Sequence, residues 1–153
     1  MIVIQIGIAG DRPCGWAYQP QRDDDEPGKV IRGSVQATQN QTILYVANRI
    51  LEKLSDAKPE HCGVLDVGGA NVVMLASQSY LLNRINGRDN GKANSDLWDT
   101  LFETIRKRSE EGFVIRWQHI PATENPMREP ASQAASECPP ISLTTAPTAR
   151  LPW

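Results

Sequence analysis

The side chains able to do chemistry in this chain are its acids, two histidines and three cysteines, and their spacing narrows what they can do. Four consecutive acids, Asp23-Asp-Asp-Glu26, stand between Pro20 and Pro27-Gly28. Adjacent acids in such a run belong to a solvated loop and rarely converge on one ion. Cys14, Cys62 and Cys138 are odd in number and contain no CxxC pair, which argues against a disulfide framework and against a zinc site. That usage fits a reducing, intracellular setting. His119 falls within an alternating apolar segment, where its placement fits a structural or exposed role better than a catalytic one. Val64-Leu-Asp-Val-Gly-Gly69 pairs an acid with a glycine turn, a geometry that lets backbone approach a ligand closely. Arg106-Lys107-Arg108 end a helical stripe, where they complement the helix dipole; phosphate binding is the second reading.

The elements that must position these residues follow from hydrophobic periodicity. With 153 residues, 40% hydrophobic and 22% charged, the chain suits one soluble α/β domain with one core. The net charge of −2 does not mark a dedicated nucleic-acid binder, although a local basic face remains compatible with it. No apolar run has the length of a membrane span. Met1 to Ile8 lacks the basic flank of a secretory signal and reads as a first strand. Gly15 to Tyr18 begins a second strand and Lys29 to Ala37 forms a third. Thr38 or Asn40 then caps a helix with Ile43, Val46, Ala47, Ile50, Leu51 and Leu54 on one face. Cys62 to Val67 reads as a fourth strand, and about Ala70 to Asn83 as a helix. Ser95 reads as the cap of a further helix buried through Leu97, Leu101 and Ile105, with Trp98 and Phe102 beside them. Phe113 to Ile120 alternates as a strand with Phe113, Ile115 and Trp117 on one face. Met127 to Glu137 reads as a closing helix. Residues 1–137 form the expected domain, and the Pro/Thr-rich stretch 138–153 a flexible tail.

That order of elements resembles ribonuclease H type I. Thr38-Gln-Asn-Gln41 is similar to the family's cap before its first helix. Ser95-Asp-Leu-Trp98 is similar to its entry into the helix before the last strand. Ile115-Arg-Trp-Gln-His-Ile-Pro121 resembles the last strand and the turn after it, and Glu124-Asn125 with Ala131-Ser-Gln-Ala-Ala135 the closing helix. The resemblance spans roughly residues 2–137 and implies a mixed five-stranded sheet, three antiparallel strands followed by alternating helices and strands, flanked by helices. It also implies hydrolysis of RNA in RNA–DNA hybrids with two divalent ions, Mg²⁺ or Mn²⁺, held by four carboxylates.

The residues depart from that pattern. Gln5, Ile6 and Gly7 stand where the resemblance places an Asp in the first strand, and Ile43 where it places a Glu in the first helix. Gly68 stands where it places an Asp ending the fourth strand, with Asp66 on the same strand face two residues earlier. Glu129 takes the position of the last Asp, and Thr123 that of a loop His. Asp66 and Glu129 are thus the candidate catalytic and metal-binding pair, with Asp11 as a third. Two carboxylates hold one divalent ion weakly at best. Gln39, Asn40 and Gln41 stand where the family contacts RNA, and Arg84, Arg88 and Lys92 where it carries a basic handle, here partly offset by Asp89.

The resemblance, with these losses, implies a domain without cleavage activity that keeps a role in binding RNA–DNA hybrid or RNA, or in assembly. The alternatives are an active, atypical nuclease using Asp66 and Glu129 with Mg²⁺ or Mn²⁺, and a scaffold that contacts only protein. Two further echoes compete. Val64 to Gly69 resembles the first motif of S-adenosylmethionine-dependent methyltransferases, but Ala70-Asn71 follows where another glycine is expected, and too few residues remain for that sheet. The same phrase resembles the phosphate loop of actin-like ATPases, of which one copy alone is present.

Overall fold

The computed structural model describes residues 1–22, 26–54, 70–87 and 93–143. Strands β1 (Ile2–Gly10), β2 (Cys14–Arg22) and β3 (Ile31–Val35) form an antiparallel meander. Strands β4 (Ala70–Ala76) and β5 (Phe113–His119) add in parallel beside β1. A two-residue strand β6 (Pro140–Ile141) pairs in parallel with β3, so the six-stranded sheet runs β5-β4-β1-β2-β3-β6. The described helices are α1 (Gln39–Lys53), α2 (Ser79–Ile85), α3 (Ser95–Glu110) and α4 (Arg128–Glu137).

Period-two alternation assigns the two faces of the sheet. Ile2, Ile4, Ile6 and Ile8 of β1, with Cys14, Trp16 and Tyr18 of β2, enter the main core under Ile43, Val46, Ile50 and Leu51 of α1. Ala9 and Ala17 lie on the other face against Met127 and Ala131, at and beyond the start of α4. Small residues there let α4 lie directly on the sheet. A Cβ on Gly7 would stand 2.2 Å from the Met127 carbonyl oxygen, and one on Gly15 1.9 Å from that of Ala131.

Thr38 caps α1 in a reciprocal box: its hydroxyl accepts from the Gln41 N–H at 3.2 Å, and Gln41 Oε1 accepts from the Thr38 N–H at 3.0 Å. At α3, Ser95 is the first helical residue rather than the cap. Asn94 precedes it in the left-handed region, φ 60°, and donates its side-chain amide to the Tyr80 hydroxyl. That hydroxyl also accepts from Trp98 Nε1 at 2.9 Å, which ties α2 to α3.

The fourth strand differs from expectation. Residues 70–76, read above as helix, form β4, and the residues expected as that strand, 62–67, lie outside the described part. Asn-Val-Val-Met-Leu-Ala is a continuous apolar run after its first residue. In a central parallel strand, covered on both faces, such a run loses the alternation that betrays a strand. Val72 and Met74 are fully buried between β1 and β5. Residues 138–141 belong to the stretch read above as a flexible tail; in the structure the Ile141 carbonyl accepts the Gln36 N–H and Ser34 Oγ donates to the Cys138 carbonyl, fastening Pro140–Ile141 to the β3 edge. Residues 144–153 lie outside the described part.

Candidate nucleic-acid cleft

The parallel strands β1 and β4 end side by side, and ligand sites of open α/β sheets lie off such carboxyl ends. A cleft of about 250 Å³ opens there, floored by Gly7 to Gly10 of β1 and by Ser77 and Gln78 after β4. Gln39, the first residue of α1, closes one side; Ala122, Asn125 and Arg128 close the other.

Asn125 holds these walls together. It is 7% exposed and uses both ends of its carboxamide. Its Nδ2 donates to the Ile6 carbonyl at 2.8 Å and to Ser77 Oγ at 3.0 Å, and its Oδ1 accepts from the Met127 N–H at 2.9 Å. Ser77 in turn donates to the Ile120 carbonyl at 2.6 Å. One side chain therefore joins β1, the end of β4, the turn after β5 and the start of α4. This polar network is satisfied, as a buried one must be to be stabilising.

The cleft's remaining groups are two carboxamides, Gln39 and Gln78, and the Arg128 guanidinium. The Gln78 Oε1 is buried without a hydrogen-bond partner among the described residues. Among the described residues no carboxylate lines the cleft, and Arg128 is the formal charge they place in its wall. A guanidinium beside amides suits an anion such as a phosphate.

No protein-family model matches this chain. No curated protein matches its sequence. Solved structures do match. Ribonuclease H1 from the halophilic archaeon Halobacterium salinarum superposes with a TM-score of 0.63 at 14% identity, over 87% of this chain and 96% of that one. LC11-RNase H1 in complex with an RNA/DNA hybrid superposes at 0.72 and 13% identity, over 88% and 96%. The foamy viral protease–reverse transcriptase in complex with RNA/DNA hybrid gives 0.62 at 12%, this chain spanning 20% of that protein's length. The fold is that of ribonuclease H.

Within the ribonuclease H fold, the sequence-derived site residues fall in different places. Of Gln5, Ile6 and Gly7, Ile6 points into the α1 core, while Gly7 borders the cleft, where the α4 backbone fills the space of any side chain. Ile43 is fully buried in the core. The fourth strand ends at Ala76, so Ser77 rather than Gly68 follows its carboxyl end, and Asp66 lies outside the described residues. Glu129 is exposed in the first turn of α4 and does not line the cleft; its neighbour Arg128 does. Asp11 is exposed in the turn after β1, away from the cleft lining.

The contact candidates also separate. Gln39 lines the cleft, Asn40 is exposed next to it, and Gln41 is engaged in the α1 cap. Arg84 lies over the rings of Trp98 and Phe102, 5.4 and 6.0 Å from their centroids. Arg88 and Lys92 lie outside the described residues. Arg106 pairs with Glu103 and Glu110, and Arg108 is 6% exposed beside Glu111, which fits their helix-end role. His119 ends β5, exposed.

A pair of divalent ions needs several converging oxygen anions. The described residues lining the cleft do not fit such a pair: they are neutral amides and a cation, where a metal pair requires anions. Among the described residues, no group of three or more His, Cys, Asp or Glu side chains is placed to hold a metal ion. Ser77, Gln78 and Arg128 escaped the sequence reading, and Asn125 entered it only as part of the phrase before the closing helix. The first two follow a strand read as helix, and Arg128 stands beside the acid that drew attention. No helix among the described residues is long and apolar enough to cross a membrane.

Proposed function

We propose that this chain is a ribonuclease H-like domain that binds RNA–DNA hybrid without cutting it, and without metal. The observation that carries this reading is the cleft itself. Its β1 wall has a glycine whose Cβ position is filled by the Met127–Arg128 backbone, and its charge is that of Arg128. A phosphate would lie against Arg128, with Gln39 and Gln78 as neutral hydrogen-bonding partners. A charge-assisted contact of this kind contributes about 1.5–3 kcal/mol to binding and needs no bridging cation. The two neighbours solved with RNA/DNA hybrid, LC11-RNase H1 and the foamy viral protease–reverse transcriptase, support the ligand class.

The test is binding and cleavage of a labelled RNA–DNA hybrid, with Mg²⁺, with Mn²⁺ and with EDTA. The expected result is intact hybrid in every condition and salt-sensitive binding that EDTA leaves unchanged. Arg128→Gln should weaken binding by roughly tenfold or more and lower the salt slope by about one unit. Metal-dependent cleavage that disappears in an Asp66→Asn/Glu129→Gln double variant would replace this reading with an active nuclease. Absence of any binding to hybrid or RNA would leave the protein-scaffold role.

A further inference from the structure

The turn between β1 and β2, Asp11-Arg12-Pro13, adjoins the cleft through two of its lining segments. Gly10, the last residue of β1, lines the cleft and pairs with Cys14 across the turn. A Cβ on Gly10 would stand 3.1 Å from the Pro13 carbonyl oxygen and 3.5 Å from Cβ of Ala135 in α4. On the other side the Arg12 N–H donates to the Ala37 carbonyl at 3.1 Å, two residues before Gln39, which also lines the cleft. The turn is thus pinned between the end of β1 and the entry to α1.

Local structure does not explain why this turn carries an arginine. The φ of Arg12 is 41°, in the left-handed region, which glycine or asparagine occupies at less cost. Its side chain is exposed and makes no hydrogen bond, ion pair or ring contact among the described residues. Backbone strain of this kind is retained where the surrounding structure enforces it, and it clusters at binding sites. The turn therefore presents to solvent a guanidinium, a group whose forked donors match a phosphate. The charges nearby are mixed: Asp11, beside it, and Glu124 and Glu129 are exposed and outside the cleft lining.

We propose that Arg12 is a second phosphate contact for the nucleic acid, so that the duplex backbone crosses the carboxyl end of β1 from Arg128 to Arg12. The inference rests on the hybrid-binding reading of the cleft and gives that binding a direction, toward the β1–β2 turn. Asp11 opposes the contact by like-charge repulsion with the same phosphates.

The experiment is hybrid binding by the full chain between about 50 and about 200 mM salt, with urea unfolding of each variant alongside. Asparagine accepts the left-handed backbone, so Arg12→Asn is expected to unfold at the same or a higher urea concentration than the parent. It should nonetheless bind hybrid roughly tenfold more weakly and lower the salt slope by about one unit. Combined with Arg128→Gln, the slope should fall by about two units. Arg12→Lys should keep the parent's slope, and Asp11→Asn should tighten binding. Arg22→Gln, at the far end of β2 opposite Ile2, should leave affinity and slope as they are. Unchanged binding in Arg12→Asn, beside a clear loss in Arg128→Gln, would overturn this inference and leave the cleft reading standing. An equal loss in Arg12→Lys and Arg12→Asn, or an equal fall in slope with Arg22→Gln, would also overturn it. Absence of salt-sensitive binding by the parent would overturn both readings.

Discussion

Replacing Gly7 by alanine tests the claim that β1 has no room for a side chain at the cleft. An ideal Cβ there stands 2.2 Å from the Met127 carbonyl oxygen, 2.3 Å from its carbon and 2.8 Å from the Arg128 nitrogen, where ordinary contact begins at 3.4 Å. All three atoms are backbone, so no rotamer change relieves the overlap. The start of α4 must move by about 1 Å, against the Asn125 hydrogen bonds and the buried Met127 side chain that fix it. Overpacking of this kind costs about 3 kcal/mol, offset by up to roughly 1 kcal/mol for the lost glycine entropy of the unfolded chain. A net loss of about 2 kcal/mol is a large share of a domain's typical stability of roughly 5–15 kcal/mol. Urea unfolding should show the midpoint falling by about 1 M at an unchanged slope. Gly112→Ala is the control: its φ is 101° with nothing within 4 Å of the added carbon, so it reports left-handed strain alone. Gly7→Ala as stable as the parent would refute the packing argument and reopen that position to a metal-binding acid.

Asn125→Ala should destabilise by about 3 kcal/mol, because it removes three hydrogen bonds and leaves the buried Met127 N–H unpaired. A loss below about 1 kcal/mol in the same unfolding assay would contradict the linking role assigned to it. Burial pushes the Cys14 thiol above its ordinary value of 9.0, with Asp11 adding to the rise and the Thr42 hydrogen bond opposing it. A raised folded-state value means that the unfolded chain releases this proton first, so stability is full below 9.0 and falls as pH rises beyond it. Unfolding midpoints from pH 8 to pH 10.5 should fall more steeply for the parent than for Cys14→Ala; parallel curves would argue against a buried neutral thiol.

The ribonuclease H fold was legible because its parts announce themselves locally. Ile2, Ile4, Ile6 and Ile8 alternate, α1 carries a stripe with a Thr38 cap, and Phe113, Ile115 and Trp117 alternate in β5. Alternation and helical periodicity are properties of neighbouring residues and need no partner to be read. The residue types at the positions where the resemblance places acids were legible for the same reason, since the residue type at a position is in the sequence whatever surrounds it. Gly7 and Ile43 are examples.

Tertiary structure decided the rest. A strand covered on both faces shows no period, so β4 was identified only by Val72 and Met74 pairing between β1 and β5. The two-residue β6 has no signal of its own and exists because the β3 edge offers it partners. The cleft joins residues from four separate segments, those of Gly7, Gln39, Ser77 and the stretch from Asn125 to Arg128, whose convergence is a matter of distance in space. Of the adjacent Arg128 and Glu129, the turn of α4 sends the arginine to the cleft and the glutamate to solvent, a choice that the helix's angle on the sheet makes, and that Gly7 and Gly15 permit.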